Sequence, residues 1–93
     1  MYSCTFIKYL WKDSDTKRLY RTLEKQISLP FTPVIGQEIG EGDWFSGKIE
    51  RVVWDNIDNI FTVKVSDITP KEGISAELLL DIAIKQGWNA QDK

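Results

Sequence analysis

Residues 60–67 read Ile-Phe-Thr-Val-Lys-Val-Ser-Asp, with apolar and polar side chains alternating along most of the segment. Alternation with a period of two is typical of a β-strand that buries one face. The inward face is then predicted to carry Phe61, Val63 and Val65. The segment Trp44–Trp54 is also rich in β-branched and aromatic residues, and the turn-forming residues Asp55–Asn59 separate the two. The sequence therefore predicts a β-hairpin here, with Ile49 and Val53 of the first strand facing inward.

A second hairpin is predicted at the N-terminus. Tyr2–Trp11 is rich in aromatic and β-branched residues and is interpreted as a strand that is central in the sheet or covered on both faces, since both faces are partly apolar. Lys17–Ser28 carries Leu19, Leu23 and Ile27 at intervals of four, which fits either a helix or one face of a strand. We favour the strand, because it would pair with Tyr2–Trp11 and end at a proline.

The C-terminal third contains the clearest helix signal. Ala76–Gln86 follows Ser75, a good N-cap residue, and precedes Gly87, which is typical of a helix C-terminus. Before it, the Pro- and Gly-rich segment Leu29–Gly42 predicts an extended connection with a short strand at Gln37–Ile39.

The predicted helix carries more apolar surface than one sheet face requires. Its only charged residues are Glu77, Asp81 and Lys85, spaced by four, which leaves well over half of the circumference apolar. This excess is covered either by the rest of the chain or by a second chain. For the second case we expect a self-association surface made of Leu78, Leu79, Ile82 and Trp88.

These elements predict an α+β fold, in which a twisted antiparallel sheet of four to five strands, partly barrel-shaped, packs against one C-terminal helix. A single domain is expected over residues 1–88, followed by a flexible tail at 89–93. One pattern in the sequence resembles the hairpin core of SH3-like barrel modules. It consists of Gly42-Asp43-Trp44, Lys48-Ile49, Val52, Phe61-Thr62-Val63-Lys64-Val65 and Asp67. The resemblance covers roughly a quarter of the chain and implies a fold without a function.

Composition excludes several classes of function. The chain has 93 residues, one Cys and no His, so every mechanism that needs an imidazole is excluded. We expect Cys4 to be a small buried apolar residue, and the lone Cys indicates a cytoplasmic protein without an intrachain disulfide. No phosphate loop or calcium loop is present, so we expect no enzyme activity, no cofactor and no metal ion. The size alone suits small accessory genes of bacteria and mobile gene cassettes.

The aromatic residues suggest a binding surface. By strict alternation, Trp44 and Trp54 share one strand face with Lys48 and Glu50. If the helix covers this face, both Trp residues belong to the core, which is the interpretation we favour. If it does not, the face is a recognition surface for a partner. The function that we expect is a small non-catalytic interaction protein, which binds another protein or forms a homodimer.

Two alternatives follow from charge and size. Residues 1–25 carry six Lys or Arg and three Asp or Glu, although the whole chain has a net charge of −2. A nucleic-acid-binding module would use this basic hairpin, with phosphate and stacking contacts made by Lys17, Arg21, Lys25, Tyr9 and Trp11. The other alternative is a small ligand bound at an interface between subunits, because a chain of this size has little interior for a deep pocket.

Overall fold

Six strands and one helix make up the fold in a computed structural model, which describes residues 1–13, 18–40 and 47–91. The elements in chain order are β1 Tyr2–Trp11, β2 Leu19–Leu29, β3 Glu38–Ile39, β4 Gly47–Asp55, β5 Ile60–Val65, α1 Ala76–Lys85 and β6 Asn89–Gln91. The strand order in the sheet is β3-β4-β5-β1-β2-β6. The α+β class is confirmed, and the sheet curls into a half-barrel.

The sheet is mixed, so the antiparallel sheet of four to five strands was a wrong prediction. β1 and β2 form the expected antiparallel hairpin, which confirms the strand interpretation of the ambiguous segment. β4 and β5 form the second hairpin. The two hairpins join through β1 and β5, which run parallel with Cys4 opposite Phe61 and Ile7 opposite Lys64. An SH3-like antiparallel arrangement does not contain this parallel pair.

The turn of the β4–β5 hairpin follows the prediction. One carboxylate oxygen of Asp55, Oδ1, accepts hydrogen bonds from the N–H groups of Ile57 at 2.9 Å and Asp58 at 3.2 Å. Asn59 has a φ of 54°, a left-handed conformation that Asn tolerates better than most residues. Local side-chain chemistry thus explains where the chain reverses.

β4 departs from strict alternation. A bulge lies between Ile49 and Arg51, where the pairing with β5 skips one residue. An extra residue reverses the faces of every side chain beyond it. Val52 therefore packs against the core, while Val53, which we expected to face inward, is 41% exposed.

The core lies between the concave face of the sheet and α1. Ser75 caps the helix by accepting a hydrogen bond from the N–H of Leu78 at 3.1 Å, and Gly87 follows its end with a φ of 94°. The fully enclosed side chains include Cys4, Phe6, Leu10, Leu23, Ile49, Val63, Leu79 and Ala83. The predicted helix is thereby confirmed, and within the described residues no helix has the length and apolarity needed to cross a membrane.

The C-terminal residues and the convex face of the sheet differ from expectation. Asn89–Gln91, which we expected in a tail, form β6 and pair antiparallel with β2. β1 was expected to be central or covered on both faces; it is central, between β5 and β2, but Ser3 and Tyr9 of its convex face are exposed. The sheet therefore has one face buried by α1 and one open face.

Candidate interaction site

The long edge of β4 is only partly covered. β3 pairs with β4 at just two positions, Glu38 with Lys48 and Ile39 with Gly47. The connection before β3 adds two backbone hydrogen bonds of 2.8 Å, from Gly36 N to Ile49 O and from Ile49 N to Gln37 O. Beyond Ile49, no other strand among residues 1–13, 18–40 and 47–91 lies along this side. We call the uncovered stretch Glu50–Asp55 the open edge.

The direction of the backbone groups along the open edge follows from the pairing. The N–H of Ser66 donates to Lys48 O, so Ser66 faces β4, as do Lys64 and Thr62 by alternation along β5. Their partners on β4 are Arg51 and Val53, whose backbone groups therefore face β5. The backbone N–H and C=O groups of the alternate residues, Val52 and Trp54, point away from β5 toward the open edge.

An aromatic rim borders the open edge at its far end. The indole of Trp54 is 48% exposed and meets the ring of Phe61 edge-to-face, with ring centroids 4.9 Å apart. Its Nε1–H donates to Asn56 Oδ1 at 3.2 Å. Tyr2 extends the cluster, with its centroid 6.1 Å from that of Phe61. Aromatic side chains held in this way offer apolar area at a low entropy cost, which suits a binding surface.

A shallow groove adjoins the open edge on the convex face. Its volume is about 300 Å³, and its walls are Ile7, Tyr9, Arg51, Val53, Thr62 and Lys64. The ammonium group of Lys64 lies 2.7 Å from Asp67 Oδ1, 3.1 Å from Glu50 Oε1 and 4.7 Å from the centre of the Tyr9 ring. Burial opposes the charge of Lys64, but these two carboxylates outweigh it and raise its pKa. The Lys64 ammonium group is therefore charged, but its hydrogen bonds to Asp67, Glu50 and Val65 O are all made within the chain.

The four residues of the suggested aromatic surface do not share one face. Lys48 and Glu50 are exposed, and Glu50 contacts Lys64 on the convex side. Trp54 lies beyond the bulge, on the same side of the strand as Val52, and packs on Phe61 at the rim of the concave face. Trp44 lies outside the described residues. The bulge thus separates side chains that alternation had placed together.

The basic hairpin of the nucleic-acid alternative is also divided between two faces. Tyr9 lies on the convex face, and Trp11 donates from its Nε1–H to Asp67 Oδ2 at 2.9 Å. Arg21 lies opposite Leu10 and Lys25 opposite Phe6, on the concave side. The Nζ of Lys25 donates to Gln86 O at 2.8 Å. Lys17 lies outside the described residues. Among the other four residues of this set, the two aromatic residues and the two basic residues lie on opposite faces of the sheet.

The four helix residues proposed for self-association differ in exposure. Leu79 and Trp88 are buried in the core of their own chain, at 1% and 2% exposure. Ile82 is partly buried against the same core, while Leu78 is 45% exposed. The core of the chain itself therefore takes up part of the apolar excess that suggested a second chain on the helix, while Leu78 and Ile84 stay exposed.

Lys8 is an unusual ionisable group, because it is buried. Lys8 is 1% exposed, and its Nζ donates to Ser66 O at 2.7 Å. Burial, reinforced by the nearby charge of Lys64, lowers the pKa of Lys8 from 10.5 to about 8. An amine with a lowered pKa can act as a nucleophile, but this one is enclosed. The described residues contain no cluster of three or more Cys, Asp or Glu side chains that could hold a metal ion.

Sequence reasoning missed Arg51, Val53 and Asp55, which the bulge places together on the convex side of the open edge. No residue at the bulge is a glycine or proline, so no local signal marked it.

The chain matches no family of known proteins, no characterised protein and no solved structure.

Proposed function

We propose that this chain is a non-catalytic interaction protein, which binds an extended segment of a partner protein along the open edge of β4. The observation that carries the proposal is an uncovered strand edge whose backbone groups point outward at Val52 and Trp54. An extended segment that pairs there would satisfy those groups and add a strand to the sheet.

Side chains next to the open edge would provide selectivity. Residues of a bound strand alternate between its two faces, so every second side chain would meet the aromatic rim of Trp54 and Phe61. The others would lie over Val53 and the groove, whose volume of about 300 Å³ accommodates one large side chain. Arg51, which is exposed at that groove, favours an acidic or hydrogen-bond-accepting residue in the segment.

The experiment uses peptides selected on the purified protein from a random decapeptide library. We expect the selected peptides to bind the wild type and to lose at least about tenfold in affinity with Val53→Lys, because the long cation occupies the convex side of the open edge. The matched control is Ser28→Lys, which adds the same charge at an exposed position on β2.

Hydrogen exchange locates the bound segment. Peptide binding is expected to slow exchange of the amides of Val52 and Trp54, which face the open edge. The proposal fails if the library yields no binder, or if binding responds to Ser28→Lys and not to Val53→Lys.

A further inference from the structure

We infer that the open edge of β4 takes a second copy of this chain, with the two β4 strands antiparallel and a twofold axis at Val53. This inference rests on the proposed function and names its partner. Two identical edges can pair symmetrically only when they run antiparallel, since a twofold axis then exchanges the same surface of both copies. The register is decided by the backbone and by two charged residues.

Backbone directions leave few symmetric registers. The backbone groups that point outward belong to Val52 and Trp54. Each hydrogen-bonded pair across the interface must therefore join Val52 or Trp54 of one copy to Val52 or Trp54 of the other. The axis can then lie at Val52, at Val53 or at Trp54. With the axis at Val53, Val52 of each copy pairs with Trp54 of the other, and two rings of hydrogen bonds form around the axis.

Charge selects among these registers. Arg51, Val53 and Asp55 lie on the convex side of β4, two residues apart. Only the axis at Val53 places Arg51 of one copy opposite Asp55 of the other, and it does so twice. Asp55 uses its Oδ1 within the hairpin turn, and a carboxylate has further lone pairs that can accept a guanidinium.

The apolar residues fit the same register. Val53 meets its own copy at the axis, so the side chain that is 41% exposed in one chain becomes covered in the pair. On the concave side, Trp54 of each copy lies across from Val52 of the other, an aromatic and β-branched combination that stabilises antiparallel strands. A single axis thus pairs the charges, the exposed valine and the half-exposed indole.

The first experiment measures mass. Sedimentation equilibrium gives the average mass of the full chain in solution. Between low micromolar and several hundred micromolar concentration, this mass is expected to rise from the monomer value of 10.8 kDa toward twice that value. Arg51→Glu places like charges opposite each other and is expected to weaken the dimer at least about tenfold. Lys71→Glu, the same charge change in the loop before α1, is expected to leave the dimer unchanged.

The second experiment tests the register by cross-linking. Val53 in the two copies forms a non-hydrogen-bonded pair, in which Cα atoms lie about 4.5 Å apart, a separation that a disulfide can span. Val53→Cys is therefore expected to give a disulfide-linked dimer under mild oxidation. Ser28→Cys, exposed on β2, is the control and is expected to give none; Cys4 is buried in both variants.

The outcomes separate this inference from the proposed function. A monomer at every concentration overturns the inference, as does a dimer that Ser28→Cys cross-links and Val53→Cys does not. If the chain stays monomeric but the selected peptides still bind the open edge, only the second copy as partner is excluded. If neither a second copy nor a peptide binds there, the proposed function fails as well.

Discussion

At one edge of the sheet, β6 pairs with Thr22, Leu23 and Glu24 of β2, whereas at the other edge β3 pairs with only Gly47 and Lys48 of β4. Both covering strands are short. They differ in how they are attached, because β6 follows directly on α1 and β3 lies at the end of the Pro-rich connection.

The edge at β2 is tied to the core. Trp88, which precedes β6, is 2% exposed, and its N–H donates to Ala83 O at 3.0 Å. Lys25 of β2 lies with its Nζ 5.9 Å from the Trp88 ring and donates to Gln86 O. By contrast, apart from β3, the β4 edge is contacted only by the turn at Gly36, which makes two backbone hydrogen bonds with Ile49 within the described residues. The difference leads us to expect that the β2 edge, tied to the core by Trp88, contributes more to folding than the open edge does.

The largest effect is expected where the β2 edge meets the core. Trp88→Ala removes a buried indole beneath β6 and is expected to lower the free energy of unfolding by about 3–5 kcal/mol. Trp54→Ala, at the open edge, removes a half-exposed indole and is expected to lower it by less than about 2 kcal/mol. Urea denaturation of both variants measures the comparison, and equal losses would show that the two edges are equally important for stability.

The buried side chain of Lys8 extends from β1 to Gly47, at the covered end of β4, and its titration is expected to give the next largest effect. The folded-state pKa of about 8 lies below the unfolded value of 10.5, so the unfolded chain binds more protons between these two pH values. Stability is therefore expected to rise with pH through this window, on the order of 3 kcal/mol, and to be lost again as pH falls through 8.

Lys8→Met removes this titration. Subtracting its unfolding free energies from those of the wild type at each pH isolates the contribution of Lys8 from those of other alkaline groups. A difference that does not change between pH 8 and 10.5 would contradict a buried, charged Lys8.

A smaller effect is expected at the turn that borders the open edge. Gly36 has a φ of 93°, where a Cβ costs about 1–2 kcal/mol, although no atom lies within 4 Å of the Cβ position. Gly36→Ala is expected to lower stability by that amount. Gly40→Ala is the control, because Gly40 has ordinary φ and the same open surroundings. Thermal unfolding of the pair measures the strain, and identical melting temperatures would rule it out.

The smallest effect on stability is expected at the open edge itself. Val53→Lys changes an exposed position and is expected to alter the free energy of unfolding by no more than about 0.5 kcal/mol. The same variant is expected to lose peptide binding, so the two measurements together distinguish a binding surface from a structural one. A loss of stability of several kcal/mol would mean that Val53 belongs to the fold.

Much of the local structure could be predicted from the sequence. Alternation identified β5 correctly, and Val63 and Val65 are buried as expected. Ser75 and Gly87 marked the ends of the helix because capping depends on a few adjacent residues. β2 was ambiguous, since residues four apart lie on one face of a helix and also on one face of a strand.

The candidate site could not be predicted in the same way. It depends on a bulge between Ile49 and Arg51, and one extra residue in β4 is enough to move Val53 from the predicted core to the surface. It also depends on how little of β4 is covered by β3, which no pattern within β4 itself reveals.

By itself, the sequence determined that β1, β4 and β5 are strands and that α1 is a helix, because side-chain period and end-capping act over a few neighbouring residues. Only the tertiary structure decided that β1 runs parallel to β5, that Asn89–Gln91 pair with Thr22–Glu24 of β2, and that β4 keeps an open edge. The physical reason is that backbone hydrogen-bonding groups are the same at nearly every residue. Partner and direction are therefore chosen by the packing of the whole chain around one core.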